Sequence, residues 1–200
     1  MSGREGIYVG RLMPAEAAQA AVVLQGFLAD SAEGVDPNTA DLHYTWADPK
    51  DSDLVADMEA EIQASGPLNR LNQAAYVIAR DLPLDRNSGV VGFGVFTRSD
   101  ETSVLVNGLY VAPDYRGRHI GPAILDAAFT ELAITPVDFL GVDIAETDTH
   151  TQRFWGRIGF IPEPLSHMHP QGYPSAGVPH REYTGHQPIV RASVDALLNL

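Results

Sequence analysis

The chain has 200 residues, 44% of them hydrophobic and 20% charged, the size and balance of one globular domain over 1–200. It contains no cysteine, which excludes a disulfide scaffold, a thiolate zinc site, an iron–sulfur cluster and a cysteine nucleophile. A formal charge of -13 repels nucleic acid and anionic membrane and favours a cationic small molecule.

Ile7 to Gly10 reads as a short strand. Pro14 then suits the first turn of a helix, and Ala17, Ala21, Leu24 and Leu28 continue at helical spacing to about residue 29. Residues 31–51 are polar and carry Gly34, Pro37 and Pro49, so they read as a loop that also holds His43, Tyr44 and Trp46. Asp51-Ser52-Asp53 is N-cap chemistry for a second helix with Leu54, Met58 and Ile62 on one face, stopped by Gly66-Pro67. Three strands follow with short polar turns: 76–80, 90–97 and 103–111, the arrangement of an antiparallel meander. Gly92 and Gly94 inside the second of these mark a close backbone approach rather than a dinucleotide loop, because no helix follows them.

The third strand ends at Leu109-Tyr110-Val111-Ala112-Pro113. Asp114-Tyr115-Arg116-Gly117-Arg118-His119-Ile120-Gly121 forms a basic, glycine-bearing loop, and a helix opens with Pro122 in its first turn, its apolar face supplied by Ile124, Leu125, Ala128 and Leu132. The first N–H groups of a helix lack internal partners and carry part of its dipole, so this loop reads either as a place for an anion or as an ordinary strand–loop–helix turn with two solvated arginines. Gly121 is expected to let a phosphate approach without a Cβ in the way. A strand at 139–146 makes this a strand–helix–strand unit with a parallel pair. A short helix over about 149–157 follows, with Asp148 as its N-cap and Gly159 at its C-terminal end. Ile161 starts another strand. Residues 164–179 read as a long Pro- and Gly-rich loop, 181–184 as a last strand, and 188–200 as an apolar terminal segment.

Arg116-Gly117-Arg118-His119-Ile120-Gly121, behind the Leu-Tyr-Val-x-Pro strand end, resembles the pyrophosphate loop Arg/Gln-x-x-Gly-x-Gly/Ala of the GNAT superfamily of acyl-CoA-dependent N-acyltransferases. A second family block, an aliphatic strand, a short helix and a terminal Gly-Phe, is matched by Val142 to Phe160, and the order of elements fits over residues 5–187. The resemblance implies an α+β fold: a mostly antiparallel sheet with a splayed parallel strand pair, flanked by about four helices. It implies acetyl-CoA as co-substrate, held by Leu109, Tyr110, Val111, Arg116, Gly117, Arg118, His119, Ile120 and Gly121, with Trp155 at the cofactor side as core or cleft wall. Two departures stand out. His119 replaces the first loop glycine, and Trp155 occupies the slot where the family often carries a proton-donating tyrosine; an indole N–H cannot serve as an acid.

An ammonium acceptor must lose a proton before it attacks a thioester. Glu146 is the leading candidate to take it, with Asp143, Asp148 and His150 behind. Asn107 either orients the acceptor or satisfies a strand irregularity beside Gly108. His43, Tyr44 and Trp46 are expected on the acceptor side. His167-Met168-His169 has no matching carboxylates nearby, so no metal is expected. The expected activity is transfer of acetyl to a primary amine of a small, cationic molecule; a CoA-binding module without turnover and a protein or peptide N-acetyltransferase are the alternatives. A cytoplasmic location is expected, since no apolar run is long enough to span a membrane and no apolar segment follows Met1 to Glu5. A homodimer stays open.

Overall fold

The computed structural model describes residues 6–20, 22, 56, 59–60, 62–63, 74–81, 89–132, 137–145, 148–163 and 180–200. Seven strands form one sheet: β1 (Ile7–Arg11), β2 (Ala74–Asp81), β3 (Val90–Arg98), β4 (Ser103–Val111), β5 (Phe139–Ala145), β6 (Phe160–Pro162) and β7 (His180–His186). Their spatial order is β1-β2-β3-β4-β5-β7-β6. Only β4 and β5 run parallel; every other neighbouring pair is antiparallel. The helices with defined bounds are α1 (Ile120–Leu132), α2 (Thr149–Arg157) and α3 (Gln187–Leu198). This is the mixed α+β architecture with a splayed parallel pair that the sequence implies.

Alternation along β2 sorts the core into two layers. Ala75, Val77 and Ala79 join the cluster under α1 and α3, where Ile120, Ile124, Leu125, Phe129, Val190 and Val194 pack. Tyr76 and Ile78 face the other side with Leu12, Ala17, Ala20 and Ile62, as the two-residue period of a strand requires. The N-terminal helix begins as a 3-10 turn at Pro14–Glu16 and is helical at 17–20 and 22. Glu16 fastens it: one carboxylate oxygen accepts from the Met13 N–H at 2.8 Å, and the group pairs with the Arg80 guanidinium of β2 through both oxygens. Helical residues at 56, 59–60 and 62–63 fall within the expected second helix.

Helix α1 lies directly on β3. A Cβ on Gly94 would stand 2.6 Å from Ile124 Cγ2, and one on Gly92 would meet the Tyr110 carbonyl oxygen at 2.8 Å. The two glycines therefore provide the close approach that their placement in a strand suggests.

The C-terminal part is more regular than the sequence indicates. β7 inserts between β5 and β6, with Phe139↔His186 through Ala145↔His180 as its register on β5. Residues 187–198 are a helix with Pro188 in its first turn, burying Val190 and Val194. No helix among the described residues is long and apolar enough to cross a membrane.

Candidate active site at a strand fork

The parallel ladder between β4 and β5 is short. Ser103 pairs with Phe139, Val104 with Leu140 and Leu105 with Gly141, and no further pair joins the two strands. From Val106 to Val111 the β5-facing edge of β4 has no strand partner among the described residues. The closed end of this fork is pinned by the turn before β4, where the Thr102 carbonyl accepts the N–H groups of Asp138 at 2.8 Å and Phe139 at 3.1 Å. Asp100 orders that turn by accepting from the Thr102 backbone N–H at 2.7 Å. The same hydrogen bond holds the Asp100 carboxyl below its usual pKa.

A register shift breaks β4 at the fork. Phe96 pairs with Val106, but Val95 pairs with Gly108, so Asn107 is the extra residue of a β-bulge. The exposed Asn107 is therefore the strand irregularity beside Gly108, and a bulge turns its side chain away from the regular pleat.

At the open end, the loop from Pro113 to His119 leads into α1. The His119 carbonyl accepts from the Ala123 N–H at 3.1 Å, which makes His119 the residue just before the helix. Among the described residues the N–H groups of Arg118, His119, Ile120 and Gly121 have no backbone acceptor, and Pro122 has no N–H to offer. Gly117 sits at φ +78° and His119 at φ +59°. His119 therefore adopts the left-handed conformation that a glycine would take without strain. Its N–H stays in the cradle.

The two loop arginines are held differently. Arg116 Nε donates to the Val111 carbonyl at 2.9 Å, and its guanidinium lies 5.5 Å from the Tyr110 ring centroid. Arg118 lies 5.0 Å from the ring centroid of Tyr115, whose hydroxyl donates to Asp81 at 2.7 Å. Ile120 is buried and contributes only its backbone. Leu109 faces the start of α1, and the Tyr110 ring is buried on the opposite face of the sheet.

A Cβ on Gly121 would stand 3.4 Å from Phe154 Cζ, an ordinary contact distance, so the start of α1 lies directly beside a ring of α2. One expectation needs correction. Trp155 is only 2% exposed and packs edge-on against Phe154 and Phe160, at centroid distances of 5.2 and 4.7 Å. It belongs to the core and does not line the cofactor side. Phe154, half-buried on α2, lies beside Gly121 at the start of α1 instead.

On the far side of the fork, Asp143 is exposed on the open arm of β5, directly opposite Glu182 of β7. Glu182 Oε1 lies 3.5 Å from where a Cβ on Gly141 would stand, beside Leu105, the last residue of β4 paired with β5. Glu182 is a carboxylate that sequence reasoning missed, because its place follows from the β5–β7 register. His150 is exposed on the first turn of α2, which Asp148 caps by accepting from the Thr151 N–H at 2.9 Å. Glu146, His43, Tyr44 and Trp46 lie outside the described residues. Among the described residues no group of three or more His, Asp or Glu could hold a metal.

The arrangement can hold a polyanion at the start of α1 and an extended, amide-bearing chain along the unpaired edge of β4. Carboxylates stand at the apex of the fork. Residues 72–162 match the acetyltransferase (GNAT) domain. The chain is similar in structure to an acetyltransferase from Streptococcus agalactiae (TM-score 0.64, 16% identity, covering 91% of this chain and 99% of that one). It is similar also to a GNAT acetyltransferase from Staphylococcus aureus (TM-score 0.62, 15% identity, 90% and 98% covered). A third likeness is to the PaiA N-acetyltransferase of Thermoplasma acidophilum in complex with coenzyme A (TM-score 0.63, 14% identity, 90% and 98% covered). No curated protein matches the chain in sequence.

Proposed function

From the match of residues 72–162 to the acetyltransferase (GNAT) domain we propose that the chain is a GNAT-superfamily enzyme that transfers an acetyl group from acetyl-CoA to the primary amine of a small, cationic molecule. The observation that carries this reading is the fork itself: β4 loses its parallel partner after Leu105, and its far end runs into a helix start with free N–H groups and two arginines. Coenzyme A, bound in the Thermoplasma structure, has the matching parts: phosphates for the loop and pantetheine amides for a strand edge.

When bound, acetyl-CoA supplies an acyl carbon activated as a thioester. The N–H groups of residues 118–121 and the Arg118 guanidinium receive the phosphates, and Arg116 fixes the loop to the end of β4. The Val106–Val111 edge offers backbone N–H and C=O groups to the pantetheine arm. Phe154 and Leu109 wall this channel. On the other face, Glu182 and Asp143 attract the cationic acceptor, and Glu182, over the closed end of the fork, takes the proton that the ammonium must lose. Glu146 and His150 are the further candidates for that proton. The acidic surface raises the local concentration of a cation.

Transfer from acetyl-CoA across a panel of small amines and basic peptides, read as free thiol released and acetylated product formed, tests the proposal. Turnover with small cationic amines is the expected result. Tight acetyl-CoA binding without transfer to any acceptor would make the chain a CoA-binding module, and a preference for peptides would move it to the protein N-acetyltransferases.

A further inference from the structure

An anion-binding loop in a chain of net charge -13 must keep its cations from its own carboxylates. Arg116 is engaged by the Val111 carbonyl and the Tyr110 ring, whereas Arg118 is carried by an aromatic face. The Tyr115 ring holds the Arg118 guanidinium over its face at 5.0 Å, and its hydroxyl donates to Asp81 Oδ2 at 2.7 Å. Asp81 ends β2, two strands away from β4 in the sheet. One side chain thus touches the carboxylate with its donor and the cation with its π face.

We propose that Tyr115 is a positioning residue for acyl-CoA binding: by occupying Asp81 and carrying Arg118, it keeps that guanidinium out of a direct ion pair with Asp81 and presents it to the phosphates. The inference rests on the acyl-CoA reading above. A carboxylate that loses its donor seeks another, and Arg118 has the reach of a long, flexible side chain. Without the hydroxyl, Asp81 draws the guanidinium down past the ring edge, and the anion site loses the cation it needs against the field of the chain. The phenol stays protonated in this role, because the Asp81 hydrogen bond raises its pKa above the ordinary tyrosine value. A plain structural strap between the loop and β2 makes a different forecast. In that case any loss of the Tyr115–Asp81 bond loosens the loop, and removing the charge of Asp81 repairs nothing.

The test measures calorimetric Kd for CoA, and kcat and KM for acetyl-CoA, in the wild type, Tyr115→Phe, Asp81→Asn and the double variant, with a thermal melt of each. Tyr115→Phe is expected to weaken CoA binding about five- to tenfold, the scale of a lost cation–π contact and a misplaced charge, with KM following Kd and kcat held. The double variant regains most of that loss, since the neutral carboxamide that replaces the Asp81 carboxylate no longer competes for Arg118. A double variant as weak as Tyr115→Phe, or a fall in kcat with KM unchanged, overturns the proposal. If Tyr115→Phe melts below the assay temperature, the same question is put to folded protein by Arg118→Ala. Arg118→Ala should then weaken CoA binding about five- to tenfold, and Asp81→Asn should leave it close to the wild-type value, because Tyr115 already keeps that carboxylate from Arg118. Full binding by Arg118→Ala, a tightening by Asp81→Asn that disappears in Arg118→Ala, or a weakening by Asp81→Asn as a plain strap requires overturns the proposal. A wild type that binds CoA while all variants match it removes only the role of Tyr115. A wild type that binds no CoA removes the acyl-CoA reading and this inference with it.

Discussion

Gly121 and Phe154 meet where α1 begins: a methyl group on the glycine would stand 3.4 Å from the ring. That is ordinary contact distance, so Gly121→Ala should fold and bind acetyl-CoA much as the wild type does. Gly121→Val drives a branched side chain into the ring and should cost about 1–3 kcal/mol, as overpacking does. It should also weaken acetyl-CoA binding, because the displaced first turn carries the free N–H groups. Thermal melts and calorimetry on the two variants check this. Severe loss of binding in Gly121→Ala at unchanged stability would mean that a Cβ here stands in the phosphate's path.

His119 holds a backbone conformation that L-residues resist, at φ +59°. The strain is about 1–2 kcal/mol for a non-glycine residue, and glycine's greater freedom in the unfolded chain offsets roughly 0.5–1 kcal/mol of any relief. His119→Gly should therefore raise stability by about 0.5–1 kcal/mol, and His119→Val should lower it by more than that. Denaturant midpoints measure both. An unchanged or lower midpoint in His119→Gly would mean that the imidazole makes a compensating interaction.

Trp155 fills core space between Phe154 and Phe160. Trp155→Phe should lose about 1–3 kcal/mol of stability by leaving a cavity and keep its kcat within a few-fold. Trp155→Tyr brings a hydroxyl into the same apolar surroundings, at a further cost of about 1–3 kcal/mol if it finds no partner, and should gain no activity. A fall in kcat of about a hundredfold for a folded Trp155→Phe, the low end for general acid–base catalysis, would contradict the packing role.

Much of this site was legible in the residues. The strand end, the basic loop and the helix start from Leu109 to Gly121 were legible in their order, and Gly92 and Gly94 announced the close packing of α1. What the sequence could not carry was relative placement. Asp143 and Glu182 are far apart in the chain and become neighbours only through the β5–β7 register. The Tyr115–Asp81 bond likewise joins a loop to a strand two positions over. Trp155 and Phe154 are adjacent, and only the angle of α2 decides which ring enters the core and which faces Gly121. The 187–198 helix was hidden by its short apolar face, Val190 and Val194, behind a proline that suits a first turn.

Asp100 links pH to the fork. Its carboxyl pKa is lowered, first by the Thr102 backbone N–H, so its charged form is favoured in the folded state. Its contribution to stability is present above the unfolded carboxyl value and is lost as pH falls through the lower folded value. Asp100→Asn should therefore reduce stability at neutral pH by about a few tenths of a kcal/mol, as for an exposed hydrogen-bonded turn carboxylate, and should flatten the stability profile in the acid range. Thermal melts between neutral pH and about pH 3, below the ordinary carboxylate value, would show the two curves converging on the acid side. Parallel curves throughout would mean that the Thr102 turn does not depend on the charge of Asp100.

The carboxylates at the apex of the fork should separate by position. Glu182 stands over Gly141, where β4 and β5 part, and Asp143 lies exposed opposite it on the open arm. A group that removes a proton in the rate-limiting step changes kcat, and general-base catalysis is worth roughly a hundredfold or more. A group that only attracts a cation changes KM, and salt screens it over about 10 Å at ordinary ionic strength. Glu182→Gln should accordingly depress kcat by about a hundredfold at low pH. The deficit should shrink as pH rises, because a larger fraction of the acceptor amine is then already neutral. Asp143→Asn should raise KM for cationic amines by a few-fold at low salt, and added salt should erase the difference by raising the wild-type KM to meet it. Reversing the two variants' effects would exchange their roles. If the best acceptors were neutral or anionic and KM ignored salt, the attraction of a cationic amine would fail as an explanation for both residues, and the acyl-CoA end of the fork would stand without it.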